Sequence, residues 1–573
     1  MARATTTRPA RPLRDVLAAS PTATVAVLVT SLVTNVLMLT GPIFMLQVYD
    51  RVLVSRSVPT LVTLTVAVAV LFGFYALLDA LRATMVHRIG TLLDEAIGAR
   101  LYEAAVRMRL VPGAPQAADP IRDGENLRAF VGGNAVLAFL DLPWVPVYVA
   151  VVFLIHVDLG WLVTAGALVA VVVLVASELA VRSRTRTLAT LTTRRQQVAA
   201  GSREGAEAIV AMGMLPRLRD RWEALSVEVN RVQASVGDRA ASLTSLHKGM
   251  RFFLQSAVLA LGAHLVIKDE MSAGMMIAAS VMSSRALAPV EQVVGSWKAF
   301  VSARQAHARV RAALDALPSG EHDTLMPRPA ATMRLAGLCV GPPGAPTPFV
   351  SGVGVELAAG DGLAVVGPSG AGKSSLVKAL TTVWPVLDGD YLLDGVPVTQ
   401  YTSEQVGQLV GYLPQRVELV DGTVAQNICR FQPEPASEDV VAAARTAGVH
   451  EMVAMLPDGY DTLLGPGGVV LSAGQQQRIA LARAVYGRPF LVVLDEPNSN
   501  LDTDGDVALA AAVVALRRAG SVVVVVSHRT NILESVSHVL VLHAGRQVTF
   551  GPAADVVNGN RLSLVRPGTQ GVS

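Results

Sequence analysis

Three short stretches of this 573-residue chain hold residue types whose spacing can do chemistry. The first is Gly367-Pro368-Ser369-Gly370-Ala371-Gly372-Lys373-Ser374, followed by Ser375. Its glycines let the backbone curl so that successive N–H groups face phosphate oxygens, and a helix starting at its end adds partial positive charge. Lys373 is then expected to reach the β- and γ-phosphates of a nucleotide, and Ser374 to ligate Mg²⁺. The second is Asp495-Glu496, closing the apolar run Phe490-Leu-Val-Val-Leu. Asp495 is placed to hold Mg²⁺ through water, and Glu496 to orient or deprotonate an attacking water. The third is His528, after Val522-Val-Val-Val-Val-Ser527; it can hydrogen-bond a γ-phosphate or that water. The ten histidines show no metal-ligand spacing, and no Ser-His-Asp hydrolase elbow is present.

These residues need strands to aim them. Each stretch follows a short Val/Leu/Ile run, and Ala-rich helical segments alternate with such runs from residue 333 to 565. That pattern predicts an α/β domain with a largely parallel sheet, whose ligands bind at the carboxyl ends of the strands. A Pro/Gly-rich linker at 317–332 precedes it, and residues 566–573 read as a tail.

Everything upstream has a different character. Hydrophobic residues make up 51% of the chain and charged ones 16%, with mean hydropathy +0.46, which excludes a disordered chain and an ordinary soluble enzyme. Two cysteines, Cys339 and Cys429, exclude a disulfide scaffold. Net charge is +9 over residues 1–330 and −6 beyond, a basic apolar half joined to an acidic one. Apolar stretches at Thr22–Leu46, Thr60–Leu81, Val136–Ile155, Trp161–Val181, Phe252–Ile267 and Ala273–Val294 predict six transmembrane helices within residues 21–316. Arginines crowd the segment before the first span and the segments 82–134 and 182–250. Lys/Arg-rich loops face the cytoplasm, so residues 1–20, both termini and two long helical extensions are expected there, with the first span uncleaved. Asp79, Asp141, Glu178 and Arg285 fall within or near spans; they either line a polar path or pair near span ends.

Between the glycine-rich loop and Asp495 stands Leu471-Ser472-Ala473-Gly474-Gln475, continued by Gln476-Gln-Arg-Ile-Ala-Leu-Ala-Arg483. This resembles the signature motif of ABC transporter ATPases. The order also matches, with Gln415 after Gly411-Tyr-Leu-Pro and with Ser499-Asn-Leu-Asp502. Six spans ahead of such a domain look like an ABC exporter half-transporter. Tyr49–Thr60, Asp141-Leu-Pro-Trp144, Arg285–Gln292 and Asp495–Asp502 are similar to the permease/ATPase subunit of type I protein secretion systems, of the alkaline protease and lipase export type.

The resemblance implies a multidomain membrane protein with an all-α six-helix transmembrane domain followed by an α/β P-loop ATPase domain. It implies a homodimer in the inner membrane, in which ATP is clamped between Gly367–Ser374 of one subunit and Ser472–Gln475 of the other. Gln415 would contact Mg²⁺ and the membrane helices, Asp502 would communicate between the sites, and Pro120–Leu127 and Glu204–Met214 would form coupling tips. A periplasmic adaptor, an outer-membrane channel and unfolded polypeptide cargo are implied too; nucleic acid is not.

Two features depart from the pattern. Ala473 stands where the family has glycine, so its Cβ restricts the backbone and stands near the γ-phosphate. No aromatic precedes the loop at the spacing of an adenine stack; Phe349 comes first, and by spacing it is too close. Two other readings stay open: export of a lipid or small amphiphile, and an ATP-binding membrane scaffold with impaired hydrolysis.

Overall fold

A computed structural model describes residues 21–110, 119–317, 325–343, 345, 347–499, 503–527 and 530–558. The chain divides into two compact units, the first ending at Pro318 and the second running from Ser319.

The first unit is helical. Its elements are α1 (Pro21–Leu37), α2 (Thr40–Gln47), α3 (Val58–Met108), α4 (Pro120–Val131), α5 (Asn134–Asp141), α6 (Val145–Ile155), α7 (Val157–Glu204), α8 (Leu215–Ile267) and α9 (Ala273–Asp315). Among the described residues, five segments are long and apolar enough to cross a membrane: Pro21–Ser55, Val58–Met108, Asn134–Ile155, Leu215–Ile267 and Ala273–Asp315. The expected fourth span falls on α7, whose described apolar part is the shorter Val157–Val173. The 51 residues of α3 extend about 75 Å, far beyond a hydrocarbon core of about 30 Å, so its Arg-rich second half continues outside the lipid.

Within this unit several charged side chains are paired. Asp141 Oδ1 accepts from Arg82 Nη1 (2.7 Å), Asn35 Nδ2 (2.8 Å) and Ser31 Oγ (3.1 Å), while Arg82 Nη2 reaches Asp79 (2.9 Å). Tyr148 Oη closes the group by donating to Asn35 Oδ1 at 2.8 Å. The knot ties α1, α3, α5 and α6, just where Pro143 turns the chain through the 3₁₀ step Leu142–Trp144. Asp141 therefore pairs, as one of the two sequence readings holds. The side chain of Glu178 lies outside the described residues. Glu291 meets Arg251 at 3.3 Å. Asp50, in the π-helical turn Val48–Val52, accepts from Ser272 Oγ (2.5 Å) and Gly274 N (2.8 Å), capping the start of α9. Asp123 of α4 makes a two-pronged pair with Arg309 of α9 (2.6 and 2.7 Å).

The strands of the second unit are β1 (Thr332–Val340), β2 (Val350–Ala358), β3 (Gly362–Val366), β4 (Val386–Leu393), β5 (Val396–Pro397), β6 (Val410–Leu413), β7 (Gly422–Thr423), β8 (Leu463–Leu464), β9 (Leu491–Asp495), β10 (Val522–Val526), β11 (His538–His543) and β12 (Arg546–Pro552). Strands β7 and β8 pair by themselves, and the others form a sheet ordered β5-β4-β1-β2-β12-β11-β3-β10-β9-β6. Only β11, β3, β10, β9 and β6 form the expected parallel run; β1 pairs antiparallel with β2 and β4, and β11 with β12. The sheet is thus mixed. The sequence shows why: β3 (Gly362–Val366), β9 (Leu491–Asp495) and β10 (Val522–Val526) are buried at every residue, as strands covered on both faces must be. In β1 (Thr332–Val340) and β2 (Val350–Ala358) buried and accessible residues alternate, leaving one face free for antiparallel partners. The apolar cluster around Leu363, Leu376, Leu491 and Val524 fixes this sheet against α10 (Lys373–Leu380).

Candidate functional site

Four parallel strands at one end of the sheet bring the chemistry together. In the order β3-β10-β9-β6, all parallel, the carboxyl ends carry the Gly367–Gly372 loop, Ser527, Asp495-Glu496 and, two residues beyond β6 (Val410–Leu413), Gln415. Residues separated by more than a hundred positions thus share one edge, where α/β sheets bind ligands.

The loop is shaped by backbone conformation. Gly372 caps α10 at φ +96°, and a Cβ there would lie 2.5 Å from Val350 Cγ2. Lys373 is buried, and its Nζ turns back to donate to the carbonyls of Gly367 (2.7 Å) and Pro368 (3.0 Å). Burial lowers its pKa, opposed by the carboxylates of Glu496 and Asp495. A phosphate would give this ammonium a charged partner in place of two neutral carbonyls.

Burial also pushes Asp495 up, to about 6, with the Glu496 charge adding to it and the Ser374 hydroxyl opposing it. One of its oxygens, Oδ1, is buried without a hydrogen-bond partner among the described residues. A buried carboxylate oxygen with nothing to bind, beside a serine hydroxyl, fits a Mg²⁺ ion. Glu496 sits at φ +49°, in the left-handed region that a non-glycine residue occupies only when its surroundings hold it there. Its N–H donates to Val526 O at 3.0 Å, and its Oε2 accepts from Gln415 Nε2 at 2.7 Å. The carboxylate is aimed at the mouth of the site, away from the core.

Several supporting residues escape motif reading. Gln477 of helix α12 (Ala473–Val485) donates to Pro497 O, next to Glu496. Asn498 donates to Asp506 at 2.8 Å and accepts from Ser527 at 3.4 Å. These bonds tie the turn after β9 to α12 and to the end of β10. Only the hydrogen-bonding residue types signal them, because their partners are distant in sequence.

The Ser472–Gln475 segment opens α12. Ser472 is the N-cap, and with Gln475 it forms a reciprocal capping box. Ala473 is the first helical residue, and it is exposed. The expected backbone restriction is absent, since helical geometry suits alanine better than glycine. Phe349, set aside by its spacing, lies beside the loop: its carbonyl oxygen is 3.6 Å from where a Gly372 Cβ would be. Its half-exposed ring stands edge-on to Trp384 at 6.0 Å. Both His528 and Asp502 lie outside the described residues. The Glu204–Met214 segment is a short helix, Ala206–Ala211, ending with Val210 and Met212 exposed. By contrast, Pro120–Leu127 forms the first two turns of α4, with Pro120, Asp123, Gly124 and Leu127 buried.

Comparison with known proteins agrees with this geometry. Residues 24–290 match the family model for the ABC transporter transmembrane region, and residues 350–499 the one for the ABC transporter. The chain is 42% identical to the type I secretion system ATP-binding protein PrsD of Rhizobium meliloti, covering 96% of this chain and 94% of that protein. It is 28% identical to the cyclolysin secretion/processing ATP-binding protein CyaB of Bordetella pertussis, over 92% of this chain and 74% of the relative. A similar match, 26% identical, is the leukotoxin translocation ATP-binding protein LktB of Mannheimia haemolytica (93% and 76%). The structure of a bacterial Atm1-family ABC exporter with ATP bound shares the fold, with TM-score 0.80, 20% identity, and coverage of 97% of this chain and 100% of the other.

Proposed function

From the premise that this chain belongs to the ABC transporters, and among them to the type I secretion ATP-binding proteins, we propose that it acts as a homodimer exporting unfolded polypeptides across the bacterial inner membrane. It is a multi-pass membrane protein whose ATP hydrolysis is coupled to transport. One chain supplies half the helices and one ATPase domain, and a two-fold pair is the usual way to complete such a unit. The relatives named for cyclolysin secretion and leukotoxin translocation point to protein cargo. They also make a periplasmic adaptor and an outer-membrane channel the fitting partners.

The mechanism uses the residues at the strand ends. Gly367–Ser375 cradle the phosphates, and Lys373 releases the Gly367 and Pro368 carbonyls to hold the β- and γ-phosphates. Ser374, Gln415 and, through water, Asp495 would hold Mg²⁺, which would supply positive charge against the phosphates. Glu496 accepts the proton of the attacking water, and His528 holds the γ-phosphate. Ser472, Ala473, Gly474 and Gln475 of the partner subunit close over the same nucleotide, with Asp502 linking the two sites. ATP then binds the closed pair far better than the open one, and loss of the γ-phosphate removes that difference. Only such a difference in affinity drives the switch between inward and outward access. The exposed Val210 and Met212 fit a coupling tip.

The observation that carries this reading is the gathering of Lys373, Asp495, Glu496 and Gln415 at one edge of four parallel strands, in a chain that also holds an apolar helix bundle. The test uses the full chain in lipid nanodiscs. ATP turnover should vanish in Glu496→Gln while ATP binding persists, and particle mass should be that of a dimer. A monomeric particle, or unchanged turnover in the variant, contradicts the reading.

A further inference from the structure

Helix α12 begins at Ser472–Gln475, and its other end meets a side chain with no part in the chemistry above. The last turn of an α-helix leaves carbonyls without helical donors. Here Tyr486 N donates to Ala482 O (3.0 Å) and Arg488 N to Val485 O (3.2 Å), which leaves Arg483 O and Ala484 O. Arg430 takes both, through Nε at 2.9 Å and Nη2 at 3.0 Å, and Nη2 also reaches Tyr486 O at 3.3 Å. Its Nη1 points the other way, to Gly407 O in helix α11 (Ser403–Leu409) and to Val410 O at the start of β6 (3.3 Å). One guanidinium thus joins the ends of α12 and α11 to the beginning of the strand that leads to Gln415.

The contact is tight and specific. A Cβ on Gly411 would stand 1.9 Å from Ala484 O, so β6 lies directly on the helix end. Arg430 and Phe431 are both held at φ +56°, a conformation that non-glycine residues keep only under constraint. Burial lowers the Arg430 pKa to about 10, which leaves it charged at neutral pH. Among the described residues no carboxylate pairs with it; the negative end of the α12 dipole and five backbone carbonyls balance the charge instead. Arg328 adds a second tie, donating to Gly487 O (3.3 Å) and Arg488 O just past the same helix end.

We infer that Arg430 is a positioning residue that locks α12 to β6, so that engagement of Ser472–Gln475 by one nucleotide resets Gln415 and Glu496 at the other. The inference rests on the head-to-tail dimer proposed above. There, the start of α12 touches the nucleotide held by the partner, while Gln415 and Glu496 serve the nucleotide held by the same chain. The 13-residue helix spans about 20 Å, and its far end is fixed to the Gln415 strand by a planar group that cannot swivel freely. Gln477 makes a second link, to the turn holding Glu496. The two hydrolysis sites are therefore mechanically joined through each chain.

The experiment measures ATP turnover against ATP concentration for the full chain in nanodiscs, with native, Arg430→Gln, Arg430→Lys and Glu496→Gln forms. Nucleotide binding is followed by a fluorescent ATP analogue, and folding by thermal denaturation. The native chain should show a Hill coefficient above about 1.5, and Arg430→Gln a value of about 1 with analogue affinity within about two-fold of native. Arg430→Lys should fall between them, and it carries the test if the glutamine variant does not fold. A native coefficient of 1, or folded variants that keep native cooperativity while turnover drops, overturns the inference. Glu496→Gln reports on the underlying reading separately: if it retains turnover, the proposed hydrolysis site fails, whatever Arg430 does.

Discussion

Lys373 and Glu496 are held by different means, and their substitutions should fail differently. Lys373 is buried and satisfied by two carbonyls, so Lys373→Ala should weaken ATP binding itself. Glu496 is partly accessible and faces Gln415, so Glu496→Gln should keep binding and lower turnover by about 100-fold or more, the usual contribution of a general base. Steady-state ATPase assays beside analogue binding separate the two. Ala473→Gly should change turnover by less than about three-fold and cost at most about 1 kcal/mol of stability, because alanine is the better first helical residue. A large gain in turnover would instead mean that the Ala473 methyl obstructs the nucleotide. Phe349→Ala should raise the KM for ATP by about five-fold with kcat preserved, if its half-exposed ring packs against the base.

At this scale the sequence was most legible where a motif is local. Gly367–Ser374 and Ser472–Gln475 each lie within one turn-to-helix step, so the first is read from its residue types between a strand and a helix and the second from its resemblance to the ABC signature. Gln477, Asn498 and Arg430 act through partners brought close only by the sheet and the packing of α12, and no local pattern marks them. The carbonyl of Phe349 comes beside Gly372 because the start of β2 lies against the loop, a proximity that a count along the chain does not register.

Among elements, the break between α5 and α6 is the most informative. Proline at 143 costs the helix a donor, and the chain passes through a 3₁₀ step at the point where Asp141 gathers donors from α1 and α3. Removing Arg82 leaves Asp141 with only the neutral donors Ser31 and Asn35, so Arg82→Gln should destabilise the folded chain by about 3 kcal/mol, whereas Asp141→Asn leaves Arg82 its Asp79 partner and should cost less. The double variant should lose less than the sum of the singles, and a thermal-shift double-mutant cycle in detergent measures the difference. Strict additivity would mean that the two do not act as a pair. Apolar length marked the five segments long enough to cross lipid, since crossing demands a long uncharged run, while the expected fourth span keeps only the shorter described apolar part Val157–Val173. The mixed sheet was less legible, because short strands of either pairing share the same β-branched composition; only the burial of β3, β9 and β10 on both faces separates the parallel half.

The whole molecule joins an apolar bundle rich in arginine at its extensions to an acidic ATPase unit. The family to which it belongs accounts for that union, and the scaffold reading now has little left to support it: Ala473 sits in ordinary helix, and the family couples ATP hydrolysis to transport. A lipid exporter would share the same ATPase edge, so cargo must be tested directly. The most direct test compares the culture medium of two strains, one carrying the native chain and its twin carrying Glu496→Gln at matched abundance. The account predicts that a small set of polypeptides without N-terminal signal peptides disappears from the medium of the variant strain. Identical media from well-expressed native and variant chains would contradict ATP-driven polypeptide export.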